Sequence, residues 1–359
     1  ADLRHSALEG ANLENADLTE VDLGDANLGE ANLRNALLED AGLERASLRF
    51  ADLGAAVLES ARLQGADLWG AEMGRADLSR AQARGATFGE VKADGADFRN
   101  ADLRDADFAN ASLVGATLGG ADLRGANLRG ADLSGADLAG AAMQGLDLGQ
   151  TRLTGARWAG ALLDHTRFAR EQIGETGEEA AGDPMGAARA YLALERNFAE
   201  IGDSAASSWA YLKRRRMQKW AAFEDARQAA RRGNLTAALA RGATWIGDTV
   251  VEWSCDYGES LWRTFATILV VYVAFTVVYG VSDGVYRLTS SHHGLVPLVT
   301  HRVDDLAVFS IMAMTTSGLA GNVLQPANLW ISFLGGIQIL SGIFLTGLLG
   351  FVAGNRIRR

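Results

Sequence analysis

Ala121-Asp122-Leu123-Arg124-Gly125-Ala126-Asn127-Leu128-Arg129-Gly130-Ala131-Asp132-Leu133 repeats a five-residue unit, A-(D/N)-L-x-x, and this unit decides the fold. Its register holds from Ala1 to Arg170. Every fifth position from Leu3 is Leu, Met, Phe or another apolar residue, as at Leu13, Leu18, Leu23, Leu28 and Leu33. Ala83 and Ala93 are the small occupants and Trp158 the bulkiest. Two residues before each centre stands Ala or another small or modest residue, such as Ser6, Val21 or Thr151. Leu146 is the bulky exception. No α-helix keeps every fifth residue on one stripe, because five steps turn about 500°. A four-sided coil with five residues per side does, with Leu inward, Ala beside it and the polar positions outward. A fixed period also implies a stack in which each unit buries its face against its neighbours. About 34 units give roughly eight and a half coils, a rod about 40 Å long at ordinary strand spacing.

The motif resembles the pentapeptide-repeat right-handed quadrilateral β-helix. The fold expected for residues 1–170 is that solenoid, and the whole chain is read as multidomain. The formal net charge of −10 sits in the repeats: 27 acidic and 17 basic residues precede residue 171, and the remainder balances at 17 of each. Acidic rods of this type resemble DNA mimics that bind topoisomerases. Here Arg99, Arg104, Arg124 and Arg129 alternate with Asp along the outside, so a scaffold or sensor fits better and no nucleic-acid partner is expected. The single Cys255 rules out an intrachain disulfide framework and suits a reducing cytoplasm. The chain opens in repeat register, without Met and without a cleavable signal pattern, which points to sequence preceding Ala1.

Residues 171–184 are polar, with Gly174, Gly177, Gly182 and Pro184, and read as a linker. Residues 185–233 read as two helices broken at Gly202-Asp203, similar to one tetratricopeptide hairpin. Tyr191, Leu194, Phe198 and Ile201 mark the first helix. Trp209, Leu212, Met217, Trp220 and Phe223 mark the second. Residues 234–260 follow as an amphipathic interfacial helix whose tryptophans suit a membrane surface.

Residues 261–359 hold two membrane-length apolar segments, about 261–281 and 329–353, around a short one. The short segment, about 304–315, is too brief to span and reads as re-entrant. It ends in Thr315, Thr316, Ser317, Gly318, Leu319, Ala320, Gly321 and Asn322, an uncharged turn whose carbonyls an ion could use. Phe309-Ser310-Ile311-Met312-Ala313-Met314-Thr315-Thr316-Ser317-Gly318, with Gly321, Asn322 and Pro326, resembles the two-transmembrane potassium-channel pore family. That family's filter reads T-T-V-G-Y-G-D. Here Leu319-Ala320 replaces the tyrosine with one residue more, and Asn322 stands where the aspartate would be. The resemblance implies a homotetramer, a selectivity filter at 315–322 and a permeant monovalent cation, K+ or Na+. The departures predict reduced or absent potassium selectivity, and an anion-permeable channel stays open as an alternative.

Gln338, Ser341, Gly342 and Leu345 share a face of the second span and are candidates for the cavity lining, with helix packing as the competing reading. Asp304 and Asp305 begin the short helix, as N-terminal caps or as an acidic outer mouth. His292, His293 and His301 read as surface residues, so no metal site is expected. No P-loop or nucleophile–base motif appears, so the chain reads as no enzyme, with no cofactor. Lys213, Arg214, Arg215, Arg216, Lys219, Arg231, Arg232 and Arg241 precede the first span, and Arg356, Arg358 and Arg359 follow the second. Arg287 and Arg302 are the basic residues between them. Both termini are therefore expected in the cytoplasm of a prokaryotic cell, with lipids and an unidentified cytoplasmic protein or ligand as partners. The competing reading is a membrane-anchored interaction protein whose pore-like region is structural.

Overall fold

The structure, a computed structural model, describes residues 1–283, 285–291, 294–315 and 324–357. The chain divides into two compact units, Ala1–Ala238 and Leu239–Arg359.

The repeats coil with a period of twenty. Asp2 bridges Asp22, Asp22 bridges Gly42 and Arg62 bridges Gln82, all parallel, so four five-residue sides complete each turn. On one rung the Leu63 N–H donates to the Gln82 carbonyl at 2.7 Å, and the Gln82 N–H donates back to Ala61 at 2.9 Å. At each corner the first residue of a unit donates to the carbonyl three residues back, as Ala66 does to Leu63 at 3.0 Å. The fifth residue takes a positive φ, from 54° at Asn35 to 77° at Gly130, which is the signature of a type II turn. The second-position Asp or Asn completes the corner. Its Oδ1 accepts the N–H two residues on, as Asp22 does from Gly24 at 3.0 Å and Asn27 from Gly29 at 3.1 Å. Each letter of the unit thus has a physical role. The corner keeps its bond at the bulky exception as well, with the Leu146 N–H donating to the Met143 carbonyl at 3.3 Å.

The third-position residues fill the interior and are fully buried from Leu23 to Leu123. Ala83 and Ala93 are small because Phe88 and Phe98 share their coil. Phe88 stacks on Phe108 with centroids 4.6 Å apart, and Phe98 meets both rings edge-on at 6.0 Å. Large and small residues alternate around the coil, so the cross-section keeps its volume.

Residues 171–184, expected as a linker, instead cap the solenoid. They form a 3-10 turn at Arg170–Gln172 and a short helix, α1 (Gly177–Ala180). An uncapped last coil would expose a row of unpaired backbone groups. Gln172 donates to the Leu148 and Thr151 carbonyls, each at 2.8 Å. Glu178 accepts the Trp158 and Ala159 N–H groups through one oxygen, each at 2.7 Å. Asn197, in α2 (Pro184–Glu200), accepts from the Thr166 N–H at 3.0 Å and donates to the Thr166 carbonyl at 2.8 Å. These three side chains stand in for the backbone of a further coil. The sequence missed them because polar residues among glycines read as surface. Asp183 caps α2 and Asp203 caps α3 (Ser204–Arg231), each accepting an N–H at 2.9 Å. Phe168, Ile173, Tyr191, Leu194 and Phe198 join the solenoid's own apolar cluster, so the helical pair extends that core.

α4 (Leu235–Cys255), most of which lies in the second unit, carries Leu239, Ile246, Val250 and Trp253 on one exposed stripe. Asp256, Tyr257 and Gly258 follow with positive φ of 50°, 55° and 93°, a left-handed elbow before α5 (Leu261–Val281). The region between α5 and α6 (Val303–Met314), expected as a loop, holds a hairpin instead: β1 (Val285–Ser291) and β2 (Gly294–Val299). β3 (Leu324–Pro326) joins the other edge of β1, giving an antiparallel sheet of order β2-β1-β3. The chain then continues into α7 (Leu329–Ile357).

Candidate functional site

Two helices, Leu261–Val281 and Leu329–Gly354, are long and apolar enough to cross a membrane. Just 17% and 22% of these apolar windows are buried, whereas the core helix of a soluble protein hides most of its apolar surface.

Contacts along the three helices fix their directions. Gln338 of α7 meets Ser310 of α6, and one turn further along both helices Gly342 meets Met314. The two contacts advance together, so α6 and α7 run the same way. Contacts to α5 run oppositely: Gly280 lies by Leu306, Tyr279 by Phe309, and Phe265 and Tyr272 line a groove with Met314 and Thr315. The apposition at Gly342 is close. A methyl group there would overlap the Met314 carbonyl, so glycine is required for packing rather than for its dihedral freedom. α6 therefore stops beside Gly342, midway along the apolar stretch of α7.

Of the eight filter candidates, Thr315 is described, at the C-cap of α6, with its hydroxyl donating to the Ile311 carbonyl at 2.8 Å. Thr316, Ser317, Gly318, Leu319, Ala320, Gly321 and Asn322 lie outside the described residues. The four lining candidates separate. Gln338 is fully buried and bonds to α5 and α6 of its own chain. Gly342 sits in the close contact with α6. Ser341 donates to the Gln338 carbonyl of its own helix at 2.8 Å. Leu345 borders the groove of about 330 Å³ that also contains Thr315 and Thr346.

Both acidic candidates at the start of α6 have partners. Asp305 is buried, lies 3.0 Å from Arg287 on β1 and accepts the Thr300 hydroxyl at 2.7 Å, tying the hairpin to the helix. Asp304 is exposed and pairs with Arg302 at 3.0 Å, which holds its carboxyl below the usual range. Both sit where a helix N-terminus favours negative charge. The sequence had flagged the acids but not their partners, because Arg287 reaches Asp305 through a hairpin the sequence reading had left as loop. His301 lies exposed, 3.6 Å from Asp283, and His292 and His293 fall outside the described residues. Among the described residues no group of three or more His, Cys, Asp or Glu side chains could hold a metal.

On the solenoid the acids and bases pair from coil to coil, as Arg45 does with Asp25 at 2.6 Å, Arg62 with Glu44 at 2.8 Å and Lys92 with Glu72 at 2.8 Å. Arg104 and Arg124 pair with Asp102 and Asp122, each at 2.6 Å. The outer surface is therefore mixed in sign along these ladders.

The Pentapeptide repeats family matches the chain in eight copies spanning residues 1–155. A search of curated proteins finds no match. Among solved structures, the chain is similar to HetL, a pentapeptide repeat protein involved in heterocyst differentiation regulation from the cyanobacterium Nostoc sp. strain PCC 7120. Identity is 31% over 47% of this chain and 81% of that one, with a TM-score of 0.30. Full-length QnrB1, a plasmid-mediated fluoroquinolone resistance protein, is 19% identical over 48% of this chain and 95% of its own, with a TM-score of 0.26. A pentapeptide repeat protein of the Arabidopsis thaliana thylakoid lumen is 32% identical over 29% of this chain and 65% of that one, with a TM-score of 0.15. Eight tandem family matches and the corner chemistry agree: through its N-terminal repeats the chain belongs to the pentapeptide-repeat family.

Proposed function

We propose that the chain is one subunit of a tetrameric channel for monovalent cations, with a pentapeptide-repeat domain as its cytoplasmic scaffold or sensor. One observation carries this reading: α6 runs parallel to α7 and ends at its midpoint. From Leu329 to Gly342 the α7 axis rises about 20 Å. The chain leaving α6 at Thr315 rejoins the sheet at Leu324, beside the start of α7. Residues 315–324 must therefore climb back through about half the thickness of the apolar layer. Backbone at such depth that lacks helical hydrogen bonds needs protein or water to satisfy its carbonyls. Four copies around an axis, each offering one such segment, meet that need and present carbonyl oxygens to an ion.

The resemblance of Thr315-Thr316 and Gly318 to the potassium-channel filter favours cations, while Leu319-Ala320 and Asn322 favour weak discrimination between potassium and sodium. The competing reading, an anchored scaffold, draws on the repeats and the two apolar helices and gives α6 a structural role alone. Purified protein in liposomes is expected to pass monovalent cations, and mass measurement in detergent to give four chains. A monomer or dimer without flux would sink the channel, and an anion-selective reversal potential would sink the cation assignment.

A further inference from the structure

A polar chain links α5, α6 and α7 at the buried centre of their contact. The Tyr279 hydroxyl donates to Gln338 Oε1 at 2.7 Å. Gln338 Nε2 donates to Ser310 Oγ at 2.6 Å and lies 3.2 Å from the Ser310 carbonyl. Ser310 Oγ in turn donates to the Tyr272 carbonyl at 3.2 Å. All three side chains are fully inaccessible. The connection thus runs from α5 to α7 to α6 and back to α5.

The surrounding contacts are mostly between aliphatic and aromatic groups, which tolerate sliding. This chain does not. A one-turn slip of about 5.4 Å along α7 would leave a buried amide, a phenol and a hydroxyl without partners. The second rung, Gly342 against Met314, lies one turn deeper, and Thr315 is the residue after Met314. Depth at Thr315 is therefore set by two neighbouring positions of α7, one by hydrogen bonds and one by shape.

Resting on the channel reading, we infer that Tyr279, Gln338 and Ser310 are positioning residues that fix the depth of Thr315 and with it the relative permeability of potassium and sodium. Gln338 acts through Ser310 and α6, and its own amide is used up inside the protomer. The same arrangement anchors α6, which leads into the filter candidates, in a chain whose filter sequence departs from the family's at the tyrosine.

The discriminating variant is Gln338→Met, which keeps length and volume and removes both hydrogen-bonding ends. Tyr279→Phe is the milder companion should Gln338→Met fail to assemble. Reversal potentials in liposomes are expected to show the sodium-to-potassium permeability ratio changed by at least about threefold in the intact Gln338→Met tetramer. The triple variant Tyr279→Phe, Ser310→Ala, Gln338→Met leaves no orphaned group, so it is expected to regain thermal stability without regaining the parent ratio. A structural role alone would move stability and leave the ratio at the parent value, and that result overturns the proposal.

A second arm is independent of flux. In a Cys255→Ser background, Thr315→Cys is reacted with a membrane-impermeant thiol reagent. Adding Gln338→Met is expected to change the labelling rate by about tenfold, as a shift of register would, and an unchanged rate overturns the positioning role. Should the parent pass no ions, the channel reading falls while the labelling arm still decides this one.

Discussion

The solenoid and the packed helices α5, α6 and α7 hold themselves together by opposite strategies. In the solenoid most contacts recur: the corner bond, the Asx turn and the inward apolar residue return along the five-residue period. In the helical unit the decisive contacts occur once. Gln338, Ser310, Tyr279 and Gly342 have no second copies. A repeated contact is redundant, because a weakened coil is buttressed by coils on both sides. A single contact has no understudy.

Glycines give the strongest test. Gly342→Val drives a side chain into the Met314 backbone, which cannot move aside. Complete loss of the detergent-stable assembly and of flux is expected, with the solenoid's unfolding unchanged. By contrast, a Cβ at Gly74 meets its nearest neighbour at an ordinary 4.0 Å, and Gly74→Ala should pass almost unnoticed. A functional Gly342→Val channel would break the comparison.

Next in size is the interior of the rod. Leu63 is fully buried within it. Leu63→Ala is expected to cost about 3 kcal/mol, in the range for a cavity left by a core leucine, read from the denaturant midpoint of the β-helix transition. Hydrogen exchange should rise in the coils on either side of residue 63 and remain low at residues 130–160. A uniform rise would show that the rod behaves as one cooperative block.

The cap offers a smaller, pH-dependent effect. Burial pushes the Glu178 carboxyl up from its ordinary value, outweighing its backbone hydrogen bonds and Arg157, and its second oxygen has no hydrogen-bond partner among the described residues. A carboxyl with a raised folded-state pKa holds its proton longer than the unfolded chain does. Its contribution is therefore present below the ordinary glutamate range and is lost as pH rises through the raised value. Glu178→Gln keeps one accepting oxygen without a buried charge. Thermal melts should show it at least as stable as the parent at neutral pH, with a flatter slope between pH 4 and 7. A variant less stable than the parent across that range would mean that the carboxylate charge itself holds the cap.

The mildest effect belongs to the corners. Every left-handed corner from Gly115 to Gly160 is glycine, while Ala55 and Phe50 bear side chains at the same φ. Ala55→Gly should stabilise by about 0.5–1 kcal/mol, because the left-handed cost for Ala exceeds the extra chain entropy of Gly. A loss of stability would show that the corner is not strained.

The same contrast explains what could be read in advance. A period is visible in a single sequence, so the four-sided coil, its inward Leu and its small first position were all legible. The one-off contacts were not. Gln338 was recognisable as a polar residue in an apolar segment, but its partners lie 28 and 59 positions away and no pattern links them. Gln172, Glu178 and Asn197 looked like surface, because nothing local distinguishes a side chain that replaces a backbone strand. The hairpin β1–β2 escaped because Pro297, which argues against a strand in a sequence, lies within the second one.

The coil containing Ala83, Phe88, Ala93 and Phe98 bears on how such a rod can be inherited. Arrays of this kind grow by duplicating and shuffling their units, and a five-residue piece looks like the natural coin of exchange. Here it is not. Moving Phe88 without Ala83 and Ala93 would overfill one coil and hollow another. Heritable exchange in this stretch should proceed in whole twenty-residue turns, or in matched pairs of changes on adjoining sides. Related sequences are expected to carry the scar as correlated large-for-small swaps five residues apart.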